Sequence, residues 1–237
     1  MRWTLLLVVL ALTGCESTQA KSARLEAAAK TTKHEQGLVV GEQDRDVTVE
    51  RTTMLQDANG AATVVELRNR SAGSLVGLPL AVQVLDKAKK NLYANDAPGL
   101  DPSLVAVASL SGRERLAWVN DQVTLSSPGQ DVVAQVGAGA KPGPARLPEM
   151  EVAGLQVSAD ASGDIAVTGD VTNRSQVEQR RLVVYVVARK GGKVVAAARA
   201  IVEKLAGGAK AHFSTFPIGD PRGAELSAAA PPTVIAP

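Results

Sequence analysis

Cysteine and histidine are both scarce in this sequence. The single cysteine, Cys15, excludes a disulfide within the chain. The two histidines, His34 and His212, have no cysteine or carboxylate at metal-ligand spacing. Composition alone does not exclude a catalytic Ser-His-Asp triad. However, the sequence lacks the Gly-x-Ser-x-Gly motif that positions the nucleophilic serine in many hydrolases. We therefore expect no metal, no cofactor and no catalytic site, and we expect His212 to be an exposed strand residue.

Aromatic residues and net charge are also low. Aromatics make up 3% of the 237 residues, so the core must be built from Val, Leu, Ala and Ile, which favours strands where Val clusters. The 26 basic and 24 acidic residues leave a net charge of +2, which gives no electrostatic reason to expect a nucleic-acid partner. Trp118 is the one tryptophan beyond Trp3. We interpret it first as a core residue and second as a partner-binding surface.

No apolar run is long enough to span a membrane. The uncharged run from Trp3 to Thr13 follows Arg2, and it is about half of the roughly 20 residues that a spanning helix needs. A short apolar segment behind a basic residue is typical of an export signal. The sequence therefore predicts that residues 1–14 are a signal peptide.

The end of this segment resembles the lipobox of bacterial lipoproteins. Its residues are Leu12-Thr13-Gly14-Cys15. The resemblance implies that Leu12, Thr13 and Gly14 are read by the signal peptidase and that Cys15 receives a diacylglycerol, which binds the membrane through its acyl chains. It also implies an outer-membrane address where the organism has such a membrane, because Glu16 rather than Asp follows the cysteine. The alternative is a secretory signal cut after Thr18-Gln19-Ala20, which leaves Cys15 without a role.

Hydrophobic periodicity divides the rest of the chain. Residues 15–45 are polar, with a helix-favouring stretch from Leu25 to Lys30, and we interpret them as a partly helical tether. From Asp46 the pattern changes to the alternation typical of strands. We predict one β-sandwich domain over 46–136, a Gly/Pro linker over 137–149, a second domain over 150–228 and a loose tail over 229–237. For Val194–Lys204 the pattern favours a strand, although its alanines also permit a helix.

Three short motifs recur in the same order and at nearly the same separation in sequence. They are Asp57-Ala58-Asn59-Gly60 with Asp160-Ala161-Ser162-Gly163, Asn69-Arg70-Ser71 with Asn173-Arg174-Ser175, and Val82-Gln83-Val84 with Tyr185-Val186-Val187. Such recurrence favours two copies of one domain over coincidence. The Asn-Arg-Ser motif also matches an N-glycosylation acceptor, but a turn at the end of a strand is the favoured interpretation.

The second copy is similar to FxLYD-type immunoglobulin-like domains. The similarity lies in Val167-Thr168-Gly169-Asp170-Val171-Thr172-Asn173, in the Val-rich run after it, and in Gly191-Gly192-Lys193-Val194-Val195. It covers roughly residues 151–220 and, more faintly, 46–125. The resemblance implies two small antiparallel β-sandwiches in tandem, with no active-site residues. We expect a membrane-anchored envelope lipoprotein that binds or spaces another envelope protein or polymer. The alternative is an envelope hydrolase or a solute-binding accessory protein with a deep cleft.

Overall fold

The computed structural model describes residues 38–159 and 164–236. The predicted signal peptide, the lipobox with Cys15 and the helical stretch of the tether lie outside the described residues, as does the predicted turn at 160–163. Within the described ranges, no helix has the length and apolar character needed to cross a membrane.

Strands dominate the described part of the chain, as predicted. A single 3₁₀ turn, Pro102–Leu104, separates two of them. In chain order the strands are β1 (Val47–Asp57), β2 (Gly60–Asn69), β3 (Leu75–Leu85), β4 (Asn91–Ala94), β5 (Ala106–Leu110), β6 (Arg115–Val123), β7 (Asp131–Val136), β8 (Lys141–Pro142), β9 (Met150–Ala159), β10 (Ile165–Asn173), β11 (Gln179–Lys190), β12 (Lys193–Leu205), β13 (Lys210–Thr215), β14 (Ile218–Gly219) and β15 (Glu225–Ala229). The strand expected over Val194–Lys204 is confirmed as β12.

All strand pairs described are antiparallel, and the two halves of the chain pair their strands in the same way. In the first half, β1, β2 and β6 form one sheet, while β3 pairs with β4, β5, β7 and β8. In the second half, β9, β10 and β13 form one sheet, while β11 pairs with β12 and β15, and β14 extends that sheet beside β12. The mainly β, sandwich-type fold is therefore confirmed. The division into two tandem immunoglobulin-like domains stays a prediction.

Strand β11 is buried on both of its faces. Leu182, Val184 and Val186 belong to one buried apolar cluster with β10 and β13, whereas Val183, Tyr185 and Val187 belong to a cluster that contains Val65, Trp118 and other residues of the first half. A strand covered on both faces is expected to be apolar at every position rather than at alternate ones. The sheet of β11 and β12 is thus a shared layer between the two halves.

The repeated Asn-Arg-Ser motif forms the same hydrogen-bonded turn twice. Asn69 is fully buried. Its side-chain amide donates to the carbonyls of Gly73 and Ser111 at 2.9 and 3.0 Å, and its Oδ1 accepts from the backbone N–H and the hydroxyl of Ser71. Asn173 is equally buried and makes the matching four bonds, to Val177, Leu205 and Ser175. This confirms the interpretation of the motif as a turn that ends a strand.

The segments predicted as linker and loose tail are hydrogen-bonded to the sheets. Lys141–Pro142 pairs with β3, and the Gly143 N–H donates to the Ser74 carbonyl at 2.8 Å. The prediction of a loose tail is wrong for residues 229–234, because β15 reaches Ala229 and the buried amide of Gln179 binds the backbone of Thr233 and Val234. That amide accepts from the N–H groups of Thr233 and Val234 and donates to the Val234 carbonyl at 2.9 Å.

We expect Asn69→Ala and Asn173→Ala each to lower the free energy of unfolding by about 2–3 kcal/mol, because each substitution leaves buried backbone carbonyls and a serine without partners. Chemical denaturation of the purified chain would measure the loss. Asn59→Ala, an exposed turn substitution, should change the value by less than about 0.5 kcal/mol. Equal, small effects at all three positions would contradict a structural role for the repeated turn.

Candidate functional site: the junction between the two halves

The junction is the face of the β11–β12 sheet that packs on the first half. Its centre is apolar, with Val183, Tyr185, Val187 and Ala197 each at most 5% exposed. Burial raises the pKa of the Tyr185 hydroxyl far above its ordinary value, so this side chain stays neutral. Three ion pairs surround this apolar centre.

Each ion pair joins an arginine of the second half to an acid of the first. Arg189 Nη2 lies 2.6 Å from Glu66 Oε1, and Arg199 Nε lies 3.0 Å from Asp121 Oδ1. Arg181 Nη2 binds Asp101 Oδ2 and also pairs with Glu203 on β12. Because all the cations come from one half and all the acids from the other, the pairs fix the relative register of the two halves.

The Arg199 pair is the most deeply buried of the three. Its side chain is 3% exposed and that of Asp121 is 17% exposed. Asp121 accepts both from the guanidinium and from the Arg199 backbone N–H, while Arg199 Nη1 donates to the Ser103 hydroxyl at 2.6 Å. Such a pair is costly to break, because either partner alone would be a buried charge without compensation.

Trp118 lies in this packed region and not on a surface. It is fully buried, and its indole N–H donates to the Ser103 carbonyl at 3.0 Å. The side chain therefore presents no surface to a partner, and the second interpretation made from the sequence is wrong for this residue. The 3₁₀ turn that carries Ser103 explains why: it folds over the indole and supplies the acceptor that a buried N–H needs.

A cavity of about 250 Å³ opens at one edge of the junction, and we name it the junction pocket. Its walls are almost entirely apolar. They are formed by Ala106 and Ala108 of β5, Val183 and Tyr185 of β11, Ile201 of β12 and Pro231 of the tail. Asp101, Ser103, Arg180, Arg181 and Thr233 add the polar groups. An apolar cavity with a few converging polar groups, located where two packed units meet, is the usual form of a small-molecule site.

The backbone at the polar side of the junction pocket is strained. Arg181 has φ +48°, in the left-handed region that residues with a Cβ avoid at a cost of roughly 1–2 kcal/mol. Arg180, Arg181 and Val183 are all among the residues that line the junction pocket. Strain of this kind persists only where the surroundings enforce it, and it is concentrated at binding and active sites.

Asp101 is held in its ionised form. Burial alone would raise its pKa, but hydrogen bonds from the Ser103 hydroxyl, the Ser103 backbone N–H and Arg181 together hold the pKa of this carboxyl below its ordinary value. The Ser103 hydroxyl also accepts from Arg199. One serine therefore links the ion pair at the pocket to the buried pair at the centre of the junction.

His212 lies on β13, outside the junction, and its side chain is 65% exposed, as predicted. Its Nδ1 is 3.0 Å from Asp170 Oδ1, and Lys210 binds the other carboxylate oxygen at 2.7 Å. Lys210 and then His212 hold the pKa of Asp170 below its ordinary value. The described residues contain no group of three or more potential metal ligands.

No known protein-family model and no curated protein sequence matches this chain. The junction was not predicted from the sequence. One feature of the sequence could have indicated it. The residues from Leu182 to Ala188 are all apolar, whereas a strand with one face in solvent would have polar residues at alternate positions.

Arg199→Met should lower the free energy of unfolding by about 3–5 kcal/mol, because it leaves Asp121 buried without its cation. Denaturant unfolding would measure this. Arg222→Met, which breaks an exposed pair with Asp220, should cost less than about 1 kcal/mol. The double variant Arg199→Met, Asp121→Asn should lose less than the sum of the two single losses, and strict additivity would contradict direct coupling between these side chains.

The lowered pKa of Asp101 predicts an acid-dependent loss of stability. A carboxyl whose pKa is lower in the folded than in the unfolded chain stabilises the fold above its unfolded pKa, and this contribution is lost as the pH falls through the folded value. Asp101→Asn removes the titrating group, so its free energy of unfolding should fall less steeply than that of the parent below about pH 4. A pH series of denaturation curves would test this, and parallel curves for the two proteins would contradict it.

Proposed function

We propose that this protein is a lipid-anchored component of the cell envelope that acts as a non-catalytic binding or spacer module. The anchor is Cys15, and Leu12, Thr13 and Gly14 are the residues that direct its processing. The main support for a module of fixed geometry is the junction. A shared apolar cluster and three arginine–acid pairs hold residues of both halves in one body.

The last residues of the proposed tether, which spans residues 15–45, are hydrogen-bonded to the first half. The Asp44 N–H donates to the Val136 carbonyl at 2.9 Å, and the Ala138 N–H donates to the Glu42 carbonyl at 2.7 Å. A pull on the chain at residue 42 is therefore transmitted directly to the first half rather than through a flexible loop. This attachment suits a module that is held at a membrane and presents its far surface to a partner.

We further propose that the two halves arose by duplication of one immunoglobulin-like unit. The matching order of strand pairs and the two identical Asn-Arg-Ser turns support this. Buried side chains that satisfy backbone groups at equivalent positions are hard to replace, so they persist after the remaining sequence has diverged. The resemblance to FxLYD-type domains rests on the same strands and turns.

The solute-binding alternative has one observation in its favour, the junction pocket. Neither Trp118 nor His212 lines this pocket. The pocket has apolar walls and charged groups at one side, and this favours capture of a small molecule over hydrolysis.

Intact-mass analysis of protein extracted from membranes should give a species that begins at residue 15 and carries at least two acyl chains on Cys15. Two buried acyl chains hold a protein at a bilayer essentially permanently, since each buried methylene contributes roughly 0.8 kcal/mol. The variant Cys15→Ser should lose the modification and leave the membrane fraction after a salt wash. Leu25→Ser, in the polar segment that follows, is the matched control and should remain bound. An unacylated residue 15 in the parent protein would overturn the anchor.

A further inference from the structure

We propose that an extended segment of a partner protein binds along the backbone edge at residues 230–232 of the second half. A groove of about 570 Å³ opens beside this edge, and we name it the edge groove. The inference rests on the binding role proposed above and adds the class of partner. It needs neither the lipid anchor nor the junction pocket.

The edge groove is lined by segments of both halves. Residues 145–150 lead into the second half, residues 228–232 include the end of β15, and both segments line the groove. The first half contributes Ser74, Ser109, Ser111, Gly112 and Glu114. The Ser109 hydroxyl donates to the Pro232 carbonyl at 2.7 Å, which fixes this part of the edge in place. The volume falls within the range of roughly 300–1,000 Å³ that is usual for binding sites.

Each half is entered by a segment of chain in the same way. Asp46 lies just before β1 and Glu149 lies just before β9. The carbonyl of each accepts from the N–H of the arginine in the Asn-Arg-Ser turn of its own half, at 2.7 and 2.9 Å. Residues 42–44 and 145–147 therefore stand at equivalent places before the two halves.

The edges that these segments approach are equivalent as well. Leu80 and Val184 stand at the same spacing after the buried Asn of the repeated turn. Val136 pairs with Leu80 in the first half. In the second half, Ala230 follows Ala229, the last residue of β15 to pair with β11, and so lies beside Val184. Ala230 is thus the counterpart of Val136.

In the first half, the entering segment covers this edge. The Asp44 N–H donates to the Val136 carbonyl at 2.9 Å, and the Ala138 N–H donates to the Glu42 carbonyl at 2.7 Å, as in a short antiparallel bridge. A sheet edge with unpaired backbone groups readily pairs with another extended segment. The first half meets this demand with its own chain.

In the second half, the entering segment does not cover the edge. Within the described ranges, no backbone hydrogen bond joins residues 145–147 to residues 230–232, and both segments line the edge groove instead. Proline explains the difference, because Pro232 stands where the first half has Ala138 and has no N–H to donate. The carbonyl of Ala230 remains as an acceptor for a segment that arrives from elsewhere.

These features define the chemistry of the partner segment. It must donate backbone N–H groups, since the prolines at the edge offer only carbonyls. Its side chains should be partly apolar, because the half-buried side chains of Leu147, Pro148 and Met150 line the groove. Backbone pairing along a sheet edge, with side chains placed in an adjacent groove, is an established mode of peptide recognition.

A synthetic peptide with the sequence of residues 38–46 is a suitable probe, because this segment covers the equivalent edge of the first half. Fluorescence anisotropy of the labelled peptide would be measured against the full-length chain carrying Cys15→Ser. We expect saturable binding with a Kd below about 1 mM, and binding at least about tenfold weaker for a peptide with Asp44→Pro, which lacks the donor N–H. Equal binding of both peptides would overturn the proposal, as would unchanged anisotropy at about 1 mM protein.

A pair of matched variants locates the site on the protein. Ala145→Glu places a larger, charged side chain in the edge groove and should weaken the peptide at least about fivefold. Ala153→Glu is the control, since Ala153 is also exposed but lies on β9 outside the groove. Neither substitution touches the core, so both proteins should fold. Equal effects of the two substitutions on peptide binding would refute the assignment.

Two further outcomes would also overturn the proposal. A peptide that displaces the chain's own residues 42–44 from the first half would bind Ala145→Glu as tightly as the parent. Self-association of the parent in sedimentation, abolished by Ala145→Glu, would assign the groove to a second copy and not to a partner protein. Because the parent for these measurements lacks Cys15, failure here leaves the proposed anchor and spacer role untouched, and the mass measurement tests the anchor independently.

Discussion

The arrangement of this protein depends on the burial of one sheet from both sides. Strand β11 can remain in its position only while the second-half sandwich covers Leu182, Val184 and Val186 and the first half covers Val183, Tyr185 and Val187. Separating the halves would expose an apolar sheet face together with Arg199, whose charge is neutralised by Asp121 of the other half. The apolar face supplies the affinity between the halves, and the ion pairs supply the register.

Local structure in this chain was largely predictable, because it is encoded by neighbours in sequence. Alternation located the long strands, and the repeated Asn-Arg-Ser motif located two equivalent turns. Strands β4, β7, β8, β14 and β15 were not predicted, because all five are short and β15 carries alanines and a serine rather than branched residues. Such strands are determined by the neighbour they pair with, which their own composition does not reveal.

The candidate site was not predictable in the same way, because it is built from residues that are distant in sequence. Asp101 and Arg181 are unremarkable as single residues, and the pocket between them exists only because β5 and β11 are brought to one edge of the junction. Trp118 is the opposite case, a residue that is conspicuous in the sequence but does not form a binding surface. A lone tryptophan in an aromatic-poor chain stands out in the sequence, yet the 3₁₀ turn at Ser103 provides a buried acceptor for its indole, which removes the need for solvent or a partner.

The equivalent strands of the two halves carry their acids in different surroundings. The first half offers β2 at the junction, where Glu66 accepts Arg189 from the second half. The corresponding acid of the second half is Asp170, since both acids stand at the same spacing before the buried Asn of the repeated turn. Asp170 is instead bound by Lys210 and His212 of the neighbouring strand, on a face that those polar side chains keep in solvent. Packing another apolar sheet on this face would require these paired charges to be removed from water, whereas at the junction each half supplies an ion that the other half needs.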